Sequence, residues 1–258
     1  MAIQHSVGAG GHNTPADVRV IQAALNSILK PQKPLAVDGL IGPATIAAVR
    51  EFQADEVGMQ RPDGRVDAGG RTLRVLAGCL PKGLSRDALA GVMPSASTAT
   101  VDTYLPLLDQ QCACHSAIGS PHRLAHFLAQ IGHESLSLQL TEELASGQAY
   151  EGRSDLGNTH PGDGVRFKGR GLIQLTGRYN YERYAAFAGL DTSQPDWPEQ
   201  VAHPDHALAV SIWFWEQRGL ATKADQDDIR GITRTINGGC NGLDDRESYL
   251  ARAKFFLV

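Results

Sequence analysis

Long apolar runs are missing from this chain of 258 residues, and no segment approaches the roughly 20 residues that cross a bilayer as a helix. A helical membrane span is therefore not expected. Residues 1–20 also lack the positively charged start and apolar stretch of a secretory signal, so synthesis in the cytoplasm without a leader is the expectation. Blocks of like charge are absent too: 24 basic and 28 acidic side chains are mixed along the chain, for a formal net charge of -4. That balance offers no basic stripe for a phosphate backbone and argues against a nucleic-acid partner. Cysteine is scarce. Cys79, Cys112, Cys114 and Cys240 form no paired framework, and Cys112-Ala-Cys114-His115, a fragment with a metal-like look, has no partner cluster. No disulfide framework, metal or other cofactor is expected, since free cysteines usually behave as small buried apolar side chains.

The chain does have an apolar content of 42%, enough to build cores for two small domains. Strand-like alternation never runs beyond a few residues, so the expected fold class is all-α. In the first part Val18, Ile21, Leu25 and Leu29 recur at helical spacing, with Thr14 or Asp17 placed to cap the start and Pro31 beyond the end. A glycine-dependent loop from Asp38 to Thr45 leads into a second helix with Ile46, Val49 and Phe52 on one face. The segment from Asp63 to Thr72 repeats the scheme, an Asp-Gly turn followed by an apolar residue, a glycine and a Thr that opens a helix. The expectation is a small three-helix unit over 1–78, a connector over 79–84, and a larger helical unit over 85–258 opened by Ser85 as N-cap.

Three pieces of the first unit, Ile21 to Asn26, the loop Asp38 to Thr45, and Ala48 to Gln53, resemble the signature of the three-helix peptidoglycan-binding domain carried by many wall hydrolases. The resemblance implies bacterial peptidoglycan as partner and makes Asp38, Gly39, Gly42 and Thr45 the wall-binding loop. A helix pair joined by a turn is the plainer alternative.

The chemistry is expected in the second unit. From His122 to Leu138 the residues Leu124, Phe127, Leu128 and Ile131 form a core-facing helical stripe, and Glu134 falls on it. A carboxyl aimed at apolar surroundings near a helix C-terminus should have a raised pKa, the state a general acid needs at neutral pH. A Glu at a frayed end, pointing to solvent, is the competing reading. Glycine-rich Gly162-Asp163-Gly164 and Gly169-Arg170-Gly171 follow no strand and precede no Lys-Ser/Thr, so a phosphate loop is excluded. His133-Glu134 does not begin a zinc-protease motif, because position 137 is Ser. His122, His126 and His133 share a helical face and read mainly as cleft-side or solvated histidines.

Four stretches, Phe127 to Ser135, Glu142 to Arg153, Phe167 to Tyr181 and Ile236 to Arg246, agree in order and spacing with family 19 of the glycoside hydrolases. The chain resembles that family, which holds chitinases and lysozyme-type bacteriophage endolysins, over roughly residues 83–258. The resemblance implies a lysozyme-like helical catalytic domain in which Glu134 protonates the leaving oxygen, Glu143 activates water and Thr176 holds that water. It places His133, Gln174, Tyr179, Asn180, Asn237 and Arg246 along the sugar cleft. One departure stands out. Many relatives have glycines where this chain has Leu136-Ser137, which leaves the local loop in question and Glu142 as a rival base.

Nine residues of continuous helix would put Glu134 and Glu143 on opposite faces about 13.5 Å apart, too far for a pair flanking one bond. The helix is therefore expected to end near Leu138, with the following loop returning a solvated carboxylate. The function expected is hydrolysis of β-1,4 bonds in peptidoglycan by an inverting pair, in a monomer that acts at the periplasmic wall after release through a holin-type partner. Chitin hydrolysis, a lytic transglycosylase needing one acid, and a non-catalytic wall-binding protein are the alternatives.

Overall fold

Prolines mark two helix starts of the first unit. Pro15 and Pro43 stand in the first turns of α1 (Pro15–Leu29) and α2 (Pro43–Asp55), where a missing N–H breaks no helical bond. Arg71–Cys79 forms α3, and a short antiparallel ladder, β1 (Val7–Gly8) on β2 (Arg65–Val66), ties the N-terminal segment to the second loop. The computed structural model describes all 258 residues, and that two-residue ladder is its one sheet. No helix is long and apolar enough to cross a membrane.

The echo seen in the sequence is a structural repeat. Gln22, buried on α1, accepts from the Gly39 N–H and donates to Asp38 Oδ1, the Leu40 carbonyl and Thr45 Oγ1. Gln53, buried on α2, does the same with the Gly64 N–H, Asp63 Oδ1, the Arg65 carbonyl and Thr72 Oγ1. Gly39 and Gly64 have φ of 79° and 74°, which a side chain would strain, so each Asp-Gly turn needs both its glycine and the glutamine behind it.

The second unit runs through α4 (Arg86–Val92), α5 (Thr98–Cys114), α6 (Pro121–Glu134), α7 (Asp163–Arg166), α8 (Arg178–Ala188), α9 (Pro204–Gln217), α10 (Leu220–Asp225), α11 (Ile229–Asn237) and α12 (Leu243–Leu257). Ser85 caps α4 as expected, its hydroxyl accepting from the Ala88 N–H at 3.1 Å. Asp225 ends α10, Asp227 turns the chain at φ 58°, and Asp228 caps α11 through the Gly231 N–H. The last helix opens at Leu243, three residues before Arg246.

One apolar core of 46 buried residues runs from Ile3 and Val18 in the first unit to Phe256 in the last helix, so the connector joins units that are packed together. Gly91 lets α1, α4 and α12 meet: a Cβ there would lie 2.5 Å from the Phe256 ring and 3.1 Å from Ala23 Cβ. Polar bonds cross the same seam, with Arg19 donating to the Ala96 carbonyl at 3.0 Å and Gln4 to Ser248 Oγ at 2.8 Å. A smaller aromatic core of Phe167, Tyr181, Tyr184, Trp197 and Trp213 carries α7 to α9 as a separate lobe.

Candidate active site

Ser120 caps α6 by accepting from the Arg123 N–H, Pro121 fills its first turn, and Leu124, Phe127, Leu128 and Ile131 face the core as the spacing requires. The helix stops at Glu134, four residues earlier than Leu138. Leu136, Ser137 and Leu138 follow with φ of 51°, 59° and 66°, three consecutive left-handed residues of which none is glycine. Such backbone costs about 1–2 kcal/mol per residue and needs local compensation. Here the Ser135 hydroxyl accepts from the Leu138 N–H at 2.9 Å, the Ser137 N–H donates to the Gly132 carbonyl at 2.7 Å, and Ser137 Oγ meets the Tyr249 hydroxyl at 2.7 Å. The buried serines thus hold a left-handed turn built without glycine.

Glu134 does not sit among apolar side chains. Its Oε1 is paired with Arg246 Nη2, and the same guanidinium donates from Nη1 to Gln130 Oε1 at 2.5 Å. Arg246 is 1% exposed, and Glu134 is its countercharge. The periodicity did not show these surroundings, because Arg246 arrives from α12, 112 residues along the chain. Beside it, His133 Nδ1 bonds Asp245 Oδ2 at 2.6 Å, which holds the Asp245 carboxyl below the ordinary carboxylate range. The His133 ring also lies against Gly242.

The expected return loop is present. The Glu143 N–H donates to the Gly169 carbonyl at 2.9 Å, and Glu142 pairs with Arg170 as an isolated bridge. That pairing gives the two neighbouring carboxylates different work. Glu142 is bound by Arg170 Nε at 2.9 Å and Lys168 Nζ at 3.3 Å. Glu143 meets no cation. Its Oε2 accepts from the Gly169 N–H at 2.9 Å and its Oε1 from the Tyr150 hydroxyl at 3.2 Å, neutral donors that fix its orientation. Burial, then the charge of Glu143, pushes the Tyr150 phenol up and keeps it a donor.

Gln174, Thr176 and Asn180 stand together on the Glu143 side. Gln174 has φ 57°, Thr176 Oγ1 donates to its carbonyl at 2.9 Å, and Asn180 Nδ2 donates to the Thr176 carbonyl at 2.8 Å. The Thr176 hydroxyl therefore keeps its lone pairs available while its proton is committed. Tyr179 is 57% exposed with Arg183 over its ring. Asn237 is occupied locally: its side chain accepts from the Gly239 N–H and donates to the Asn241 carbonyl, closing the turn before α12.

Asp38, Gly39 and Thr45 of the first unit are likewise engaged by Gln22, and Gly42 caps α2 with its backbone. Their geometry is that of a scaffold for the loop. A cavity of about 410 Å³, lined by Arg19, Leu35, Asp38, Asp87 and Val101 among others, lies at the seam of the units and not at Glu134. The histidines divide. His133 belongs to the site, whereas His126 is wholly buried and bonds Asp227 with His122 beside it, so the expected cleft-side or solvated setting fails for His126. Gln130, Tyr150, Lys168 and Arg170 are site residues that spacing alone did not single out; Gln130, one helical turn before Glu134, was the most readable of them.

Comparison with known proteins finds similarity to both a wall-binding family and chitinases. Residues 14–76 match the family described as "Putative peptidoglycan binding domain". A glycosyl hydrolase family 19 domain-containing protein of Haemophilus influenzae is 37% identical over 105 residues, 40% of this chain and 49% of that protein. An endochitinase of Arabidopsis thaliana is 39% identical over 121 residues, 46% of this chain and 40% of its own. The chain thus spans half or less of the length of these curated relatives. The crystal structure of a family 19, class IV chitinase from Zea mays superposes with a TM-score of 0.52 at 19% identity, covering 68% of this chain and 94% of that one. Chitinase C from Streptomyces griseus gives 0.52 at 20%, covering 73% and 78%. The second unit has the lysozyme-like fold of these chitinases, and it is joined to a helical unit that matches the peptidoglycan-binding family. In sequence the chain is similar to chitinase-like proteins of glycoside hydrolase family 19.

Proposed function

We propose that the chain hydrolyses β-1,4 glycosidic bonds in the glycan strands of bacterial peptidoglycan, with Glu134 as general acid and Glu143 as base. The observation that carries this reading is the unlike setting of the two carboxylates. Glu134 lies at a helix end against Arg246, and Glu143 is on a loop held by the neutral donors Gly169 N–H and Tyr150 OH. In this reading an entering sugar competes for the Arg246 guanidinium, and Glu134 delivers a proton to the leaving oxygen. Glu143 takes a proton from a water that Thr176 Oγ1 positions, an arrangement suited to inversion because the base acts through water.

The relatives' names point to chitin, and the same residues would serve on it. Peptidoglycan is favoured by the first unit, whose match is to a peptidoglycan-binding family and whose core is continuous with the hydrolase-like unit. The endolysin role, with passage to the wall through a holin-type membrane lesion, rests on the resemblance to phage enzymes alone. Mass spectrometry of products from purified sacculi tests the reading. New reducing ends at the amino sugars support hydrolysis, anhydro ends would replace it with lytic transglycosylation, and release from chitin oligomers with none from sacculi would make chitin the substrate. Proton NMR of the first products should show the α-anomer.

A further inference from the structure

We propose that His122, His126 and Asp227 form a divalent-cation site, suited to zinc, that ties the turn between α10 and α11 to α6. The two histidines are one helical turn apart on α6 and project to the same side, and Asp227 reaches them from the opposite element. The candidate ligand atoms of all three lie within 4.8 Å of one another. His126 Nε2 is 2.7 Å and His122 Nε2 3.8 Å from Asp227 Oδ1. Tetrahedral zinc with bonds of about 2.0–2.1 Å separates its ligand atoms by roughly 3.3 Å, so one contact opens and the other closes by about half an ångström. His126 is fully buried, whereas His122 and Asp227 are 34% and 53% exposed, which leaves an entry path and a position for water as the fourth ligand. Two imidazoles and one carboxylate select zinc over magnesium or calcium.

The site already gathers positive charge. Lys254 Nζ sits 2.5 and 2.6 Å from the two Asp227 oxygens, on a flexible stem that is 29% exposed. The ammonium competes with a metal for Asp227 and is the group a metal would displace. Nearby Asp225 is not available, being held in two bonds by Arg123 at 2.8 and 2.6 Å. Asp227 itself is fixed at φ 58° in the short turn that launches α11. His126 Nδ1 has no hydrogen-bond partner. With Nε2 on zinc the ring proton moves to that nitrogen and finds no acceptor, a cost that together with Lys254 makes this a weaker site than a closed structural one. Bound zinc would stiffen the frame of the cleft, since α6 ends at Glu134 and α11 ends at Asn237.

The test is calorimetric titration of the full chain with zinc, paired with melting curves in zinc and in chelator. One zinc per chain and a raised Tm are expected, with binding at least about tenfold weaker in His122→Ala and tighter in Lys254→Ala. His122 is the primary variant because it is partly exposed, and Asp227→Asn supports it. Cobalt absorption gives a second readout: a spectrum without thiolate charge-transfer bands is expected. Absence of binding in both the parent and Lys254→Ala would overturn the proposal. So would binding that survives in both His122→Ala and Asp227→Asn, or a thiolate band, which would assign the ion to Cys112 and Cys114 instead.

Discussion

Replacing Glu134 by Gln tests catalysis and stability at once, because the carboxylate has two jobs. As the proposed acid it would donate a proton to the leaving oxygen, which an amide cannot do, so activity on sacculi should fall by about 10²–10⁴-fold. As countercharge it neutralises Arg246, whose side chain is 2% exposed. Removing one partner of a fully buried pair costs about 3–5 kcal/mol. Glu134 is 19% exposed and the amide oxygen still accepts, so about 1–3 kcal/mol is the expected loss here. At this chain length each kcal/mol lowers Tm by about 2–4 °C. The variant should therefore remain helical by circular dichroism yet melt several degrees lower. Adding Arg246→Met to it removes the stranded guanidinium and should recover most of the melting temperature without recovering lysis. Clearing of walls at more than about a hundredth of the parent rate would refute the acid role. A Glu134→Gln variant melting with the parent would refute the countercharge role.

The neighbouring glutamates should separate cleanly: Glu143→Gln abolishes turnover with little change in Tm, whereas Glu142→Gln, which strips Arg170 and Lys168 of their partner, lowers Tm and spares more activity. Initial rates on sacculi beside melting curves decide between them, and the reverse pattern would move the base to Glu142. Gly169→Ala puts a Cβ 2.9 Å from both Glu143 Oε2 and Gln174 Oε1, so kcat should drop by about tenfold or more with the fold retained. Stability should fall in acid through Asp163, whose hydrogen bonds from Arg178 hold its carboxyl at about 2. A depressed carboxylate adds its stability above its unfolded value near pH 4 and loses it as pH falls toward 2, about 2 kcal/mol that Asp163→Asn should remove from the acid limb of a Tm-against-pH curve.

Much of this was legible in local pattern. The helices of the first unit, the Asp-Gly echo, the Ser85 cap and the core stripe of α6 are set by residues within a few turns of one another, where spacing and capping chemistry act directly. What escaped was long-range or conformational. Nothing near Glu134 in sequence announces Arg246, and a pattern of side chains does not reveal that Leu136 to Leu138 adopt left-handed backbone. The separation of Glu134 and Glu143 predicts a helix end near Leu138, and only the serine hydrogen bonds to Gly132, Leu138 and Tyr249 show why the helix stops at Glu134. Asp38 and Thr45 read as ligand-facing because their motif is conspicuous, yet conspicuous Asp-Gly turns are also what a buried glutamine needs to close a loop.

The seam between the units bears on how wall binding would serve hydrolysis. A binding domain on a flexible tether raises local substrate concentration and leaves the catalytic cleft free to search. Here Ala23 of α1, Gly91 of α4 and Phe256 of α12 share one contact, and Arg19 and Gln4 bond across it to Ala96 and Ser248. Fully burying a side chain the size of Phe256 contributes about 1.5–3 kcal/mol, so separating the units would expose apolar surface that neither can cover alone. A wall strand held by the first unit would then meet the cleft in a fixed orientation, and lengthening the 79–84 connector should change little, because the packed seam and not the connector sets the geometry.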